Sequence, residues 1–172
     1  PEEAIKRLTR AVGDDSPRVR LEAVRGLGTF RSWEAAKVAL KVLDLPMDNF
    51  LDYALWLTLN EATEPVLTAI ADVQVAQELP VKHVEYVFSA IEPSKAVAAL
   101  RSYLVSHPLD EAGTGPWIEL LGKTGEADQI EDLFRRAVDG KLSDAAKARA
   151  LQSLLTASRV RGVAPNNRAG LS

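Results

Sequence analysis

An apolar four-residue pattern returns along this chain at intervals of 30, 33 and 34 residues, each time in a helical register. The copies are Leu21-Glu22-Ala23-Val24, Leu51-Asp52-Tyr53-Ala54, Val84-Glu85-Tyr86-Val87 and Ile118-Glu119-Leu120-Leu121. A period in this range constrains the fold more than composition can, because one helix pair cannot bury its own apolar face and must stack on the next. The expectation is an all-α chain: an α-α superhelix, or solenoid, of about ten helices in about five pairs, with no sheet. It would form one helical repeat domain over residues 1–162, followed by a polar C-terminal tail over 163–172.

Local signals place the helices. The first spans Glu2 to Ala11, and Ser16-Pro17 opens the second, which runs to Gly28. Serine suits an N-cap, and proline the first helical position, where its missing N–H costs nothing. Ser32 caps the third helix, which Asp44-Leu45-Pro46 ends, and Asp48 caps the fourth, which reaches Ala62. The fourth is apolar almost all round, from Phe50 and Tyr53 to Trp56 and Leu59, so it is expected to be covered on several sides. A short fifth helix covers Glu64 to Ala71, and Asp72 to Leu79 shows no clear period. Pro80, Pro93 and Pro116 open the sixth, seventh and eighth. The ninth stops at Gly140, and Ser143 caps the tenth, with Ala148, Leu151, Leu154 and Leu155 turned inward. The first and tenth helices read as halves of incomplete units, and Pro1 falls inside a helical pattern. The natural protein is therefore expected to continue in both directions, and such truncated ends offer a route to self-association.

Composition narrows the partners. The formal net charge is −3, which argues against nucleic acid, since phosphate binding needs a basic footprint. No apolar run approaches the ~20 residues of a membrane helix. The chain has no cysteine, which excludes disulfides, thiolate zinc sites and a cysteine nucleophile.

The run Asp14-Asp15-Ser16-Pro17-Arg18-Val19-Arg20-Leu21-Glu22-Ala23-Val24 resembles a HEAT-repeat motif: an acidic turn, proline, Val-Arg, then an Ala/Leu-rich helix. With Ala35 to Leu40 and Leu45 to Leu59, it resembles the HEAT segment of large exported proteins of planctomycete and verrucomicrobial type. In that family the segment follows a sugar-dehydrogenase-like β-propeller and often precedes a c-type cytochrome domain. The resemblance implies a periplasmic or secreted scaffold between functional domains. It transfers no catalytic residue here, and no Cys-x-x-Cys-His is present to hold a haem.

Each candidate site has a plainer reading beside it. Glu22, Asp52, Glu85 and Glu119 could form an acidic ladder for a cation, but fit solvated outer-helix positions better. His83-Val84-Glu85 looks like half a metal motif, yet two residues along a helix is about 200° of rotation, so the side chains diverge. Gly113-Thr114-Gly115 frees N–H groups at a helix start, but lacks the Lys-Ser/Thr of a phosphate loop. Among the aromatic residues, Tyr53 and Trp56 read as packing, and Trp33 and Trp117, at helix starts, are the better candidates for exposure, though core or edge packing is favoured for all of them. Lys37, Lys41, Lys95, Arg101, Arg135 and Arg136 fall on second helices, the concave side of a HEAT array. They are the candidate concave-face contacts, and the only feature favouring the competing reading, a HEAT-like nucleic-acid-binding or DNA-repair enzyme. No residue set spells a reaction, a cofactor or a metal. The sequence therefore points to a non-catalytic scaffold or protein-interaction module within a larger exported protein, its partner a flanking domain or another chain.

Overall fold

The computed structural model describes residues 2–165, so most of the expected tail, residues 166–172, lies outside the described residues. Among the described residues the chain is all-α, with eleven α-helices and no strand. They are α1 (Glu2–Val12), α2 (Pro17–Gly28), α3 (Trp33–Ala39), α4 (Asn49–Glu61), α5 (Thr63–Ala71), α6 (Val73–Gln77), α7 (Val81–Ala90), α8 (Pro93–Ser106), α9 (Trp117–Thr124), α10 (Ala127–Val138) and α11 (Asp144–Thr156). The helix beyond the expected ten is α6, in the stretch without a clear period. The Asp72 carboxylate starts it by accepting from the N–H groups of Gln74 and Val75 at 2.9 and 3.4 Å. No described helix is long and apolar enough to cross a membrane.

The helix ends follow the local chemistry. Ser32, Asp48 and Ser143 each cap a helix through the side chain, accepting from Ala35, from Phe50 and Leu51, and from Ala146. Ser16 works differently. Its side chain makes no cap bond; instead its N–H donates to Asp14 Oδ1 at 2.8 Å, a local turn that delivers the chain to Pro17. Gly140 takes φ +72°, which lets the Lys141 N–H reach the Arg136 carbonyl at 3.1 Å and close α10. The third helix is shorter than expected: after Ala39 the chain tightens into a 3-10 turn, Leu40–Asp44.

The helices form two compact units. Among the described residues the first comprises 2–92 and 98–103, the second 93–97 and 104–165. In the first, α2 packs on α4 and α4 on α7, while α1 packs on α3 and α3 on α5. Its fully buried side chains include Leu27, Leu40, Leu51, Leu55, Leu59, Ile70 and Phe88. In the second, α11 packs on α9 and α10 around Ile118, Leu121, Ile130, Leu133, Ala146 and Ala150.

Burial recurs with the sequence period, but in a corrected register. The buried positions include 20, 23, 24 and 27 in α2, 51, 54, 55 and 58 in α4, 84, 87 and 88 in α7 with 91 just after it, and 118, 121 and 122 in α9, where 117, 120 and 124 are buried as well. The intervals are 31, 33 and 34 residues. The first was read as 30 because the core position in α2 is Arg20, not Leu21. A second shift affects α11, whose buried face is Ala146, Ala150, Ser153 and Leu154. Ala148, Leu151 and Leu155, expected inside, are exposed. Small residues win that face because α9 comes so close: a Cβ on Gly122 would sit 2.7 Å from the Ser153 Cβ.

Candidate functional site

The outer face of α4 carries the largest departure from the sequence reading. Leu51, Ala54, Leu55, Thr58 and Leu59 recur at three- and four-residue spacing and fill the inner face. That leaves Phe50, Tyr53, Trp56 and Leu57 on the outside, 76%, 62%, 40% and 40% exposed. The helix is therefore not covered on several sides, and Tyr53 and Trp56 are not core. Their rings stack, with centroids 5.8 Å apart and planes 18° from parallel. Of the two aromatic residues that were the better candidates for exposure, Trp117 is only 6% exposed and Trp33 is half-buried. Trp117 and Trp33 both open helices, but a helix start is at an edge only if nothing packs over it.

Asp52 lies beside this stripe and is held from α7. The Tyr86 hydroxyl donates to Asp52 Oδ1 at 2.8 Å and to the Asp52 carbonyl at 3.0 Å. Burial, and then the bond to the Asp52 carboxylate, push the Tyr86 phenol well above its ordinary range. At the far end of α4, Asn60 Nδ2 donates to the Ala90 carbonyl at 3.1 Å. Both ties fix the face of α4 relative to α7.

Three of the four ladder carboxylates, Glu85 apart, have local partners. Glu22 pairs with Arg25 at 3.1 Å, Asp52 accepts from Tyr86, and Glu119 takes a two-point bond from Arg149 at 2.7 Å each. No group of three His, Asp or Glu side chains that could hold a metal occurs among the described residues. His83 is buried and points not to Glu85 but to the 3-10 turn, its Nε2 3.1 Å from Asp44 Oδ1. Lys82 reaches the same oxygen at 2.6 Å. That bond, with His83 behind it, holds the Asp44 carboxyl below the usual carboxylate range. The cluster ties α7 to the 3-10 turn, with both contacts on Asp44 Oδ1.

The glycine loop presents carbonyls rather than N–H groups. Gly113 and Gly115 take φ +62° and +81°, and their carbonyls accept from Arg149 Nη1 and Nη2 at 2.7 Å each. The Thr114 N–H is spent on Asp110 Oδ1 at 2.8 Å, which holds the Asp110 carboxyl below its ordinary range. A guanidinium fills the place where an anion was considered.

The six candidate concave-face cations divide between the units, with Lys37, Lys41 and Arg101 in the first and Lys95, Arg135 and Arg136 in the second. Lys37 pairs with Glu78 at 3.4 Å, Arg135 with Glu131 at 3.0 Å, and Arg136 with Asp132 at 2.7 Å. Arg136 also donates to the Leu109 carbonyl at 3.3 Å. Lys41, Lys95 and Arg101 are exposed. Two shallow grooves border α1. One, of about 440 Å³, is lined by Leu8, Ala11, Val19 and Ala23; the other, of about 680 Å³, by Ile5, Thr9, Phe30 and Ser32.

Comparison with known proteins adds no family. No family model, curated protein or solved structure matches this chain.

Proposed function

We propose that this chain is a non-catalytic scaffold, a HEAT-type solenoid of helix pairs that spaces flanking domains and presents one helical face to a protein partner. The observation that carries the reading is a set of side-chain ties whose spacing matches the recurrence of burial. Tyr86 donates to Asp52 across 34 residues, Asn60 to Ala90 across 30, Ser102 to Ala71 across 31, and Arg149 to Glu119 across 30. The ties from Tyr86 and Asn60 link α4 to α7, successive copies of the burial pattern, and the others link helices at the same spacing. That is the energetics of a repeat array, in which stability is local and the product is a surface of set length. The resemblance to the HEAT segment of exported proteins supports a periplasmic or secreted spacer between a dehydrogenase-like and a cytochrome c-like domain. Reading the gene on both sides of residues 1 and 172 tests this. A propeller-type segment upstream and a Cys-x-x-Cys-His downstream are expected; neighbouring segments of neither kind would overturn the spacer.

A further inference from the structure

We propose that the outer face of α4 docks a cationic, arginine-bearing helical segment of another protein. The inference rests on the interaction-module reading and names the chemistry of its partner. All three aromatic side chains among the large apolar residues that stand exposed in the described chain, Phe50, Tyr53 and Trp56, lie on this one helix, joined by Leu57. Together they bare on the order of 400 Å² of apolar side chain, within the range of functional surface patches.

Charge decides the occupant. Residues 42–81 contain seven carboxylates and no Lys, Arg or His, a net charge of −7 in a chain whose total is −3. The remaining 132 residues therefore carry +4. Asp44 and Glu78 pair with Lys82 and Lys37 from outside this segment, but Asp48, Asp52 and Glu61 stand exposed along or just before α4, which has no cation of its own. Nucleic acid and anionic membrane are repelled by such a surface. A second copy is disfavoured too, because α4 carries carboxylates and no cation, so packing this face on its copy would add acidic charge with no basic partner from either helix. The apolar area also falls well below the ~800 Å² per partner of a stable interface, so a face-to-face dimer would need much more than this stripe. A single amphipathic helix fits the scale and the chemistry. Its apolar side chains would cover Phe50 and Leu57. Its guanidinium groups would lie over the stacked Tyr53 and Trp56 rings and pair with Asp52 and Glu61, a combination that a planar cation makes better than an ammonium. Asp52 is pre-set for this, since Tyr86 holds its Oδ1 and so fixes the direction of Oδ2.

The test is titration of the full chain with a synthetic 18-residue helical peptide carrying leucine at i, i+3, i+4 and i+7 flanked by arginine. Its counterpart with glutamate for arginine, and a third peptide with lysine, serve as comparisons. Binding is read by calorimetry and Trp fluorescence at low and high salt. Micromolar binding of the arginine peptide is expected, about threefold weaker for lysine and absent for glutamate. Tyr53→Ala with Trp56→Ala should weaken it at least tenfold, and Asp52→Asn with Glu61→Gln three- to tenfold, with a shallower salt dependence. Asp128→Asn with Asp132→Asn on α10 should leave it unchanged. The stripe is exposed, so unaltered far-UV circular dichroism and denaturation midpoint establish that each variant is folded. No binding, equal binding to the α4 and α10 variants, equal binding of the glutamate peptide, or a dimer that Tyr53→Ala with Trp56→Ala dissolves would each overturn the proposal. None of these outcomes alters what lies beside the gene segment, so failure here and failure of the spacer reading are told apart.

Discussion

The two units solve the same problem with different chemistry. Each uses one arginine to gather backbone carbonyls left open by turns, and one glycine to let two helices meet. In the first unit Arg20 is only 3% exposed and binds carbonyls alone: Asp14 and Asp15 through Nη1 at 2.9 and 3.1 Å, and Pro46 through Nη2 at 2.8 Å. Its Nε has no partner. In the second unit Arg149 stands more than a third exposed and adds the Glu119 carboxylate to the carbonyls of Gly113 and Gly115. The buried arginine thus does without a counter-ion and leaves one donor orphaned, whereas the half-open one is fully paired. A position inside the core can be held by geometry alone, while a position at the surface needs a charge partner to stay in one place.

Removing the clamps is the strongest way to break this comparison. Arg20→Ala should cost about 3 kcal/mol, because it opens a cavity at a buried position and removes three hydrogen bonds that join two turns. Arg149→Ala should cost about 1 kcal/mol, since the ion pair it breaks is exposed on both sides and water can rehydrate the Glu119 carboxylate. Urea denaturation with unchanged m values measures both, and equal losses would erase the distinction.

The glycine contacts come next. A Cβ on Gly28 meets Thr58 Oγ1 at 2.9 Å, the end of a side chain, whereas one on Gly122 meets the Ser153 carbonyl at 2.8 Å, backbone that cannot step aside. Gly122→Ala is expected to lose about 2 kcal/mol and Gly28→Ala about 1 kcal/mol. In double-mutant cycles Thr58→Ala should relieve Gly28→Ala by at least ~0.5 kcal/mol, while Ser153→Ala, which keeps its Cβ and carbonyl, should leave Gly122→Ala unrelieved.

Acid sharpens the contrast with the smallest effect. Arg149 holds the Glu119 carboxyl below its ordinary range, so that bond contributes above the unfolded pKa and is lost as pH falls through the lower folded value. Glu119→Gln should therefore flatten the decline of stability below about pH 5, by less than about 1 kcal/mol given its exposure. Arg20→Met should leave that slope unchanged, because carbonyls do not titrate. A parallel loss of slope in Arg20→Met would mean that the first clamp has an ionic partner after all.

Much of the local structure was legible in single residues. Ser32, Asp48 and Ser143 cap the helices they were expected to cap, and Pro17 and Gly140 mark a start and a stop. These signals work because a cap is decided by one side chain and the backbone next to it. Burial was read less well. Arg20 sits where hydrophobicity placed Leu21, and the aromatic stripe of α4 was taken for core. A closer signal was present: Leu51, Ala54, Leu55, Thr58 and Leu59 already form a complete inner face, which leaves Phe50, Tyr53 and Trp56 on the other side of the helix. The pairing of His83 with Asp44, 39 residues away, left no mark in the sequence at all.

By itself the sequence determined the all-α class, the helix starts and a recurrence near thirty residues, since propensity, capping and period are properties of short stretches. Only the tertiary structure decided which face of each helix goes inside. That choice is made by how closely two helices can approach, and here Gly28 with Thr58, and Gly122 with Ser153, outrank larger apolar side chains nearby. Close contact between small residues buries more atoms at short range than a bulky side chain that holds the helices apart. The aromatic residues of α4 were left outside for that reason, and it is there that the molecule has a surface to offer.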